Sequence, residues 1–305
     1  MRQAHRLAVG APTMIGDACS LPIRRVPTRA GAVGVIVAGQ AGPRLPIVLI
    51  HGGGMDRAAI AWARLIGPLS ADRMVVAPDL PGFGASLSLD PVGSAAAMAD
   101  IVGDALDRVG VDRVVVAGVS MGGDVALNLA LRSPDRVAGL VLVAPGGLAP
   151  RVRNPAVQLL AWAAAQLPDA LLLPLVRWGN RHVGHLIRRM VADPATLPPG
   201  IAERFVREAA RDQAGIAYLR YNQASLAPTR LLNDLSDRVG SIPAPTLFFH
   251  GANDRLVAPA DSRRAAARMP RARLVIVPDC GHLAQIEAQD RFRVELGLFL
   301  VEHRL

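Results

Sequence analysis

Three residues able to carry out acyl transfer together lie far apart in the chain, at Ser120, Asp254 and His282. Ser120 sits in Gly118-Val119-Ser120-Met121-Gly122, between an apolar run at residues 114–117 and a helix-like stretch at residues 124–131. A strand that turns sharply into a helix at G-x-S-x-G holds a hydroxyl clear of the backbone, where a carbonyl carbon can meet it. The strained turn leaves no room for side chains beside the serine, which is why glycines flank it. A serine hydroxyl is a weak nucleophile at neutral pH, so the motif needs a histidine base, an orienting carboxylate and donors for an oxyanion. A β-branched and aromatic run at residues 246–250 leads into Gly251-Ala252-Asn253-Asp254, and a second run at residues 274–277 is followed by Asp279-Cys280-Gly281-His282. Upstream, the apolar residues 47–50 run into His51-Gly52-Gly53-Gly54. The N–H of Gly53, with that of Met121 at a helix start, is expected to form the oxyanion hole. Gly54, Val119 and Leu283 are expected to touch the substrate.

These groups need a scaffold, and the pattern supplies one. Short apolar strands at residues 33–37, 47–50, 74–77, 114–117, 137–143, 246–250 and 274–277 alternate with helical stretches. One such stretch, residues 94–109, repeats Met98, Ile101, Val102, Ala105, Leu106 and Val109 at three- and four-residue spacing. Phe292, Leu296, Phe299 and Leu300 mark a closing helix. The pattern predicts an α/β fold with a mostly parallel, doubly wound sheet. Between residues 144 and 242 the alternation stops, and helical signals follow at residues 155–167, 170–178, 182–191, 201–211 and 216–225. This predicts a helical cap at residues 146–241 inserted between two parts of the core, 25–145 and 242–305, after a poorly ordered lead-in at 1–24. Leu159, Leu160, Trp162, Leu171, Leu172, Leu173 and Trp178 are expected to form the cap's own core, because a small helical unit must bury something. The pocket beneath should be apolar and take a hydrophobic small molecule.

Five motifs in this order resemble those of capped α/β-hydrolase-fold proteins, over nearly the whole chain from residue 25 onward: His51-Gly52-Gly53-Gly54, Asp79-Leu80-Pro81-Gly82-Phe83-Gly84, Gly118-Val119-Ser120-Met121-Gly122-Gly123, His250-Gly251-Ala252-Asn253-Asp254 and Gly281-His282. The resemblance implies the same roles for Ser120, Asp254 and His282. Serine at the elbow separates the chain from the haloalkane dehalogenase and epoxide hydrolase branches, which use aspartate there. Residues 280–287 and the triglycine loop are similar to those of carbon-carbon hydrolases of meta-ring-fission products, which usually carry asparagine before the serine and tryptophan after the histidine. Here those positions are Val119 and Leu283. The resulting expectation is a carboxylic ester hydrolase working through an acyl-enzyme. The alternatives are a carbon-carbon hydrolase, a cofactor-free haloperoxidase or perhydrolase, and a slow-turnover small-molecule receptor.

Composition bounds the rest. The net charge is +9 with a pI near 11.1, and all 34 basic residues are arginines. They are spread in runs no longer than two, which describes solvated surface charge and not a nucleic-acid footprint. Two cysteines, Cys19 and Cys280, make no disulfide framework, so a cytoplasmic home is expected. Cys280 lacks a second base and an elbow and is not expected to be a nucleophile. Residues 7–15 are interrupted by Gly10 and Pro12 and make a poor signal-peptide core. The apolar residues 155–178 are broken by Gln158, Gln166, Pro168, Asp169 and Pro174, so no integral membrane span is expected. His182 and His185 have no carboxylate or cysteine at ligand spacing, so neither metal nor cofactor is expected. Arg188 and Arg189 could meet a substrate carboxylate. Asp79, in a turn, and Asp124, at a helix start, are expected to be structural. A homo-oligomer remains compatible with the sequence.

Overall fold

Runs of β-branched residues become eight strands of one sheet in a computed structural model that describes residues 21–305. They are β1 (Ile23–Thr28), β2 (Gly31–Ala38), β3 (Ile47–Ile50), β4 (Val75–Pro78), β5 (Val114–Val119), β6 (Val137–Val143), β7 (Thr246–Gly251) and β8 (Ala272–Val277), in spatial order β1-β2-β4-β3-β5-β6-β7-β8. From β4 to β8 all neighbours are parallel; β2 runs antiparallel to both β1 and β4. The strand β1 was not expected. It begins inside the segment read as a lead-in, and because its sequence IRRVPT buries only Val26 it gives no periodic signal. Residues 1–20 of that lead-in, with Cys19, lie outside the described residues.

The helices are α1 (Ala58–Ala61), α2 (Ile66–Ser70), α3 (Ala95–Val109), α4 (Met121–Arg132), α5 (Pro155–Ala165), α6 (Asp169–Asn180), α7 (Val183–Met190), α8 (Ile201–Ala209), α9 (Ile216–Ser225), α10 (Pro259–Arg268), α11 (Ala284–Glu287) and α12 (Gln289–Glu302). Alternation along β5 shows how the sheet is covered. Val114 and Val116 join the core containing Met98, Leu106 and Val125, whereas Val115, Ala117 and Val119 join the core containing Trp62, Phe292 and Phe299. Successive strand residues face opposite ways, and with both faces buried the strand reads as one apolar run.

Helices α5 to α9 fall between β6 and β7. Val183 and Ile187 of α7 and Phe205 of α8 pack with Ile60, Leu283 and Ile286, so this block shares a hydrophobic cluster with α1 and the start of α11. The expected core of the block differs from what forms. Leu172 is buried, but Leu159, Leu160, Leu171 and Trp178 are exposed. The reason is local: α5 turns its polar Gln158 inward, where it accepts from the N–H of Val152 at 2.8 Å and donates to the carbonyl of Ala227 at 3.0 Å.

Candidate active site

Ser120 stands between β5 and α4 with φ 52° and ψ −119°, a left-handed backbone that costs a non-glycine residue on the order of 1–3 kcal/mol. The surroundings hold it there. Its N–H donates to the carbonyl of Val143 at 3.0 Å, and its own carbonyl accepts from Gly123 and Gly146, each at 2.9 Å. A Cβ at Gly118 would stand 2.2 Å from the carbonyl oxygen of Gly122, and one at Gly122 would stand 2.4 Å from those of Ile50 and His51. The turn therefore closes only on glycine, which brings the first residues of α4 against the loop after β3. The N–H of Met121, first in α4, has no partner within the helix.

The loop after β3 is set by two buried groups. His51 meets the carbonyl of Gly52 at 2.7 Å through Nδ1 and accepts from the N–H of Leu80 at 3.0 Å through Nε2. Burial lowers its pKa, and this pairing suits a neutral imidazole protonated at Nδ1. Asp56 accepts from the N–H groups of Gly52 at 2.9 Å and Arg57 at 2.8 Å, and burial pushes its carboxyl up to about 7. Gly53 is covered by the ring of Tyr218 from α9; a Cβ there would stand 2.3 Å from that ring. Asp79, expected in a structural role, accepts from Ala58 at 2.8 Å and Ala85 at 2.7 Å and so joins α1 to the turn after β4.

Asp254 and His282, distant in sequence, meet at the carboxyl ends of β7 and β8, where His282 Nδ1 lies 2.7 Å from Asp254 Oδ2. An ionised carboxylate only accepts, so this contact places the proton on Nδ1 and leaves Nε2 as the basic nitrogen. His250 has a role that its sequence motif does not reveal. Its Nε2 lies 3.0 Å from the same Asp254 oxygen and 3.1 Å from the carbonyl of Val257, and its Nδ1 lies 2.8 Å from Ser262 Oγ. Both neighbours of Nε2 accept, so Nε2 carries the proton and the Ser262 hydroxyl donates to Nδ1. Asp254 Oδ1 accepts from the N–H groups of Leu256 at 2.8 Å and Val257 at 3.0 Å. Burial alone would raise the Asp254 pKa; hydrogen bonds from His250 and His282 and the charge of His282 outweigh it and hold the carboxyl well below the usual range. The His282 backbone N–H donates to the carbonyl of Met190 at 2.7 Å, tying the loop to the end of α7. The Cys280 thiol is pushed up to about 12 by burial and by Glu287, unlike a reactive cysteine.

Ser120 and Met121 lie on the wall of a cavity of about 870 Å³. Leu148, Leu226 and Leu231 make it apolar on one part; Tyr218, Tyr221, Asn222 and Asn233 make it polar on another; Arg151, Arg153 and Arg255 are exposed at its edge. Three residues expected to touch substrate do not line it. Val119 packs within the sheet core, Leu283 belongs to the cluster with α7 and α8, and Gly54, at φ 71°, faces open space. Arg188 and Arg189 are exposed on α7 and do not line it either; His182 rests on Trp178 with ring centres 4.8 Å apart. The cavity's tyrosines carry no local motif, so the sequence could not place them.

Asp124 is buried behind this wall. It accepts from Tyr221 Oη at 2.8 Å, Asn233 Nδ2 at 2.7 Å and Asn128 Nδ2 at 3.0 Å, while burial raises its pKa to about 6. The helix start foreseen for Asp124 is thus also the anchor of α9 to α4.

The model of the alpha/beta hydrolase fold family matches residues 46–289. The 2-hydroxy-6-oxo-6-phenylhexa-2,4-dienoate hydrolase of Burkholderia cepacia is 32% identical over 265 residues, covering 83% of this chain and 86% of that protein. The dihydrolipoyllysine-residue acetyltransferase component of the acetoin cleaving system of Pseudomonas putida is 31% identical over 262 residues, and the match spans 64% of its length. The solved structure of the 2-hydroxy-6-oxo-6-phenylhexa-2,4-dienoate hydrolase of Rhodococcus sp. strain RHA1 superposes with a TM-score of 0.71 at 26% identity, covering 93% of this chain and 98% of that one.

Proposed function

Because this chain belongs to the α/β-hydrolase-fold family, we propose that it is a serine hydrolase whose substrate is a carboxylated, conjugated diketone of the meta-ring-fission kind, cleaved at a carbon-carbon bond beneath a cap formed by α5 to α9. The observation that carries this reading is the cavity beside Ser120, part apolar and part polar, with Arg151, Arg153 and Arg255 at its edge. It suits a hydrophobic body joined to a carboxylate. The similarity to dienoate hydrolases supports it.

In this reading His282 Nε2 takes the proton of Ser120 as Oγ attacks the ketone carbon. The N–H groups of Gly53 and Met121 receive the oxyanion, each worth about 100- to 1000-fold in rate. Carbon is a poor leaving group unless its electron pair has somewhere to go. The hydroxydienoate first ketonises, its 2-hydroxyl proton being lost and C5 gaining one, so that the pair of the breaking C5–C6 bond passes through the enone into the dienolate, which His282 protonates, leaving an acyl group on Ser120. Water, deprotonated by His282, releases the acid and restores the serine. Asp254 stabilises the imidazolium at both stages.

The test compares kcat/KM for 2-hydroxy-6-oxo-6-phenylhexa-2,4-dienoate and p-nitrophenyl butyrate in the wild type and Arg255→Gln. The dienoate should be preferred, and the variant should raise its KM while leaving the ester unaffected. Turnover of the ester with an inert dienoate would overturn the reading in favour of a carboxylic ester hydrolase. That second reading is favoured by apolar Val119 and Leu283 beside the nucleophile and base, where the carbon-carbon hydrolases usually carry asparagine and tryptophan.

A further inference from the structure

Helices α5 and α6 turn an apolar face to solvent. In α5, PAVQLLAWAAA, every side chain but one is apolar, and that one, Gln158, is turned inward. In α6, Leu171, Leu175 and Trp178 recur at spacings of four and three, flanking the buried Leu172. Leu160 is 69% exposed, Leu175 57% and Trp178 62%, with Val157, Leu159 and Leu171 exposed beside them. Among the described residues no single helix is long and apolar enough to cross a bilayer, but α5 and α6 together reach that composition, bent by 117° at their junction. A helix apolar nearly all round is ordinarily enclosed by protein or lipid, and contiguous exposed apolar faces mark surfaces for a partner.

Charge identifies the partner. Residues 151–182 carry Arg151, Arg153, Arg177 and Arg181 and one carboxylate, Asp169, which is paired with Arg220. A second copy docking by the same face about a twofold axis would oppose these like charges. An anionic bilayer complements them, and Trp178 between Arg177 and Arg181 has the arrangement that settles at headgroup level. We propose that the α5–α6 face docks the protein on a membrane surface rich in anionic phospholipid, lying in the interface without spanning it. Arg151 and Arg153 also edge the Ser120 cavity, so docking brings the cavity mouth close to the lipid.

The full chain should co-sediment with phosphatidylcholine vesicles containing a quarter phosphatidylglycerol, and poorly with phosphatidylcholine alone. Leu160→Asp/Leu175→Asp should reduce partitioning by about tenfold or more and Arg177→Gln/Arg181→Gln by severalfold, both with unchanged melting by circular dichroism, since binding scales with apolar contact plus charge. The proposal fails if the wild type ignores anionic vesicles or if the variants bind as it does. It fails also if light scattering finds a wild-type dimer that Leu160→Asp/Leu175→Asp splits, which would assign the face to a second copy. Binding that is lost on removal of residues 1–20 would assign it to that segment instead.

Discussion

His250 and His282 meet the same oxygen, Oδ2 of Asp254, at 3.0 and 2.7 Å, so one carboxylate positions two imidazoles with their protons fixed. Both histidines are buried, and His250 does not line the cavity at Ser120. Its replacement tests whether the acid must be held from behind. A hydrogen bond to a charged group is worth about 1.5–3 kcal/mol, so His250→Phe should lower kcat by roughly 10- to 100-fold with KM little changed. An unchanged kcat in a variant that melts normally would make His250 mere packing.

Ser120→Ala should lower kcat by at least about 1000-fold on whichever substrate is turned over, as for other serine nucleophiles. Thermal melting should hold or rise slightly, because the change leaves the elbow's glycine contacts in place. Residual turnover within tenfold of the wild type would remove Ser120 from the chemistry.

Gly53→Ala should damage activity through crowding, since its Cβ would stand 2.3 Å from the Tyr218 ring. The distinguishing measurement is the pair: Gly53→Ala/Tyr218→Ala should recover much of the lost kcat, because the clash and its relief involve the same two residues. If the double variant is no better than Gly53→Ala, the loss has another origin.

Asp56 makes a pH prediction. In the unfolded chain its carboxyl ionises near 4; in the folded protein burial moves this to about 7. Between those values the folded state keeps a proton that the unfolded state has lost, so this group's contribution to stability falls as pH rises through the window and is lowest above 7. The amplitude is up to about 4 kcal/mol. Denaturant melts between pH 4 and 8 should therefore show a steeper decline for the wild type than for Asp56→Asn, and parallel curves would count against it.

Tyr221→Phe removes one of three donors to the buried Asp124. The expected cost is about 1–3 kcal/mol, or roughly 2–5 °C in Tm for a chain of this size. Calorimetry showing no change would mean that Asn233 and Asn128 suffice.

The sheet was legible because its central strands are buried on both faces and so stand out as apolar runs between glycines, and the turn at Ser120 was legible because it closes only with glycine at positions 118 and 122. The edge strand β1 was not, since an edge that buries only Val26 has no period to detect. Nor was the cavity. Tyr221 and Asp124 are 97 positions apart, and nothing local to either records their meeting. His250 stood in a visible motif, but its role depends on Ser262 and Asp254 converging on its two nitrogens, which only the folded β7 end brings about. The exposed leucines of α5 misled because apolar composition reports a preference for burial and not the partner that provides it.

The bonds from Tyr221 to Asp124 and from the His282 N–H to Met190 have a consequence for how such a protein can change over time. One ties the α5–α9 block to α4, which follows Ser120, the other to the loop that carries His282. The block is thus part of the frame that spaces Ser120 from His282, not a detachable module. A chimaera carrying a relative's insert would inherit a new spacing together with a new pocket, and substrate range in this scaffold should shift more readily by point changes along the cavity wall than by exchange of the whole block.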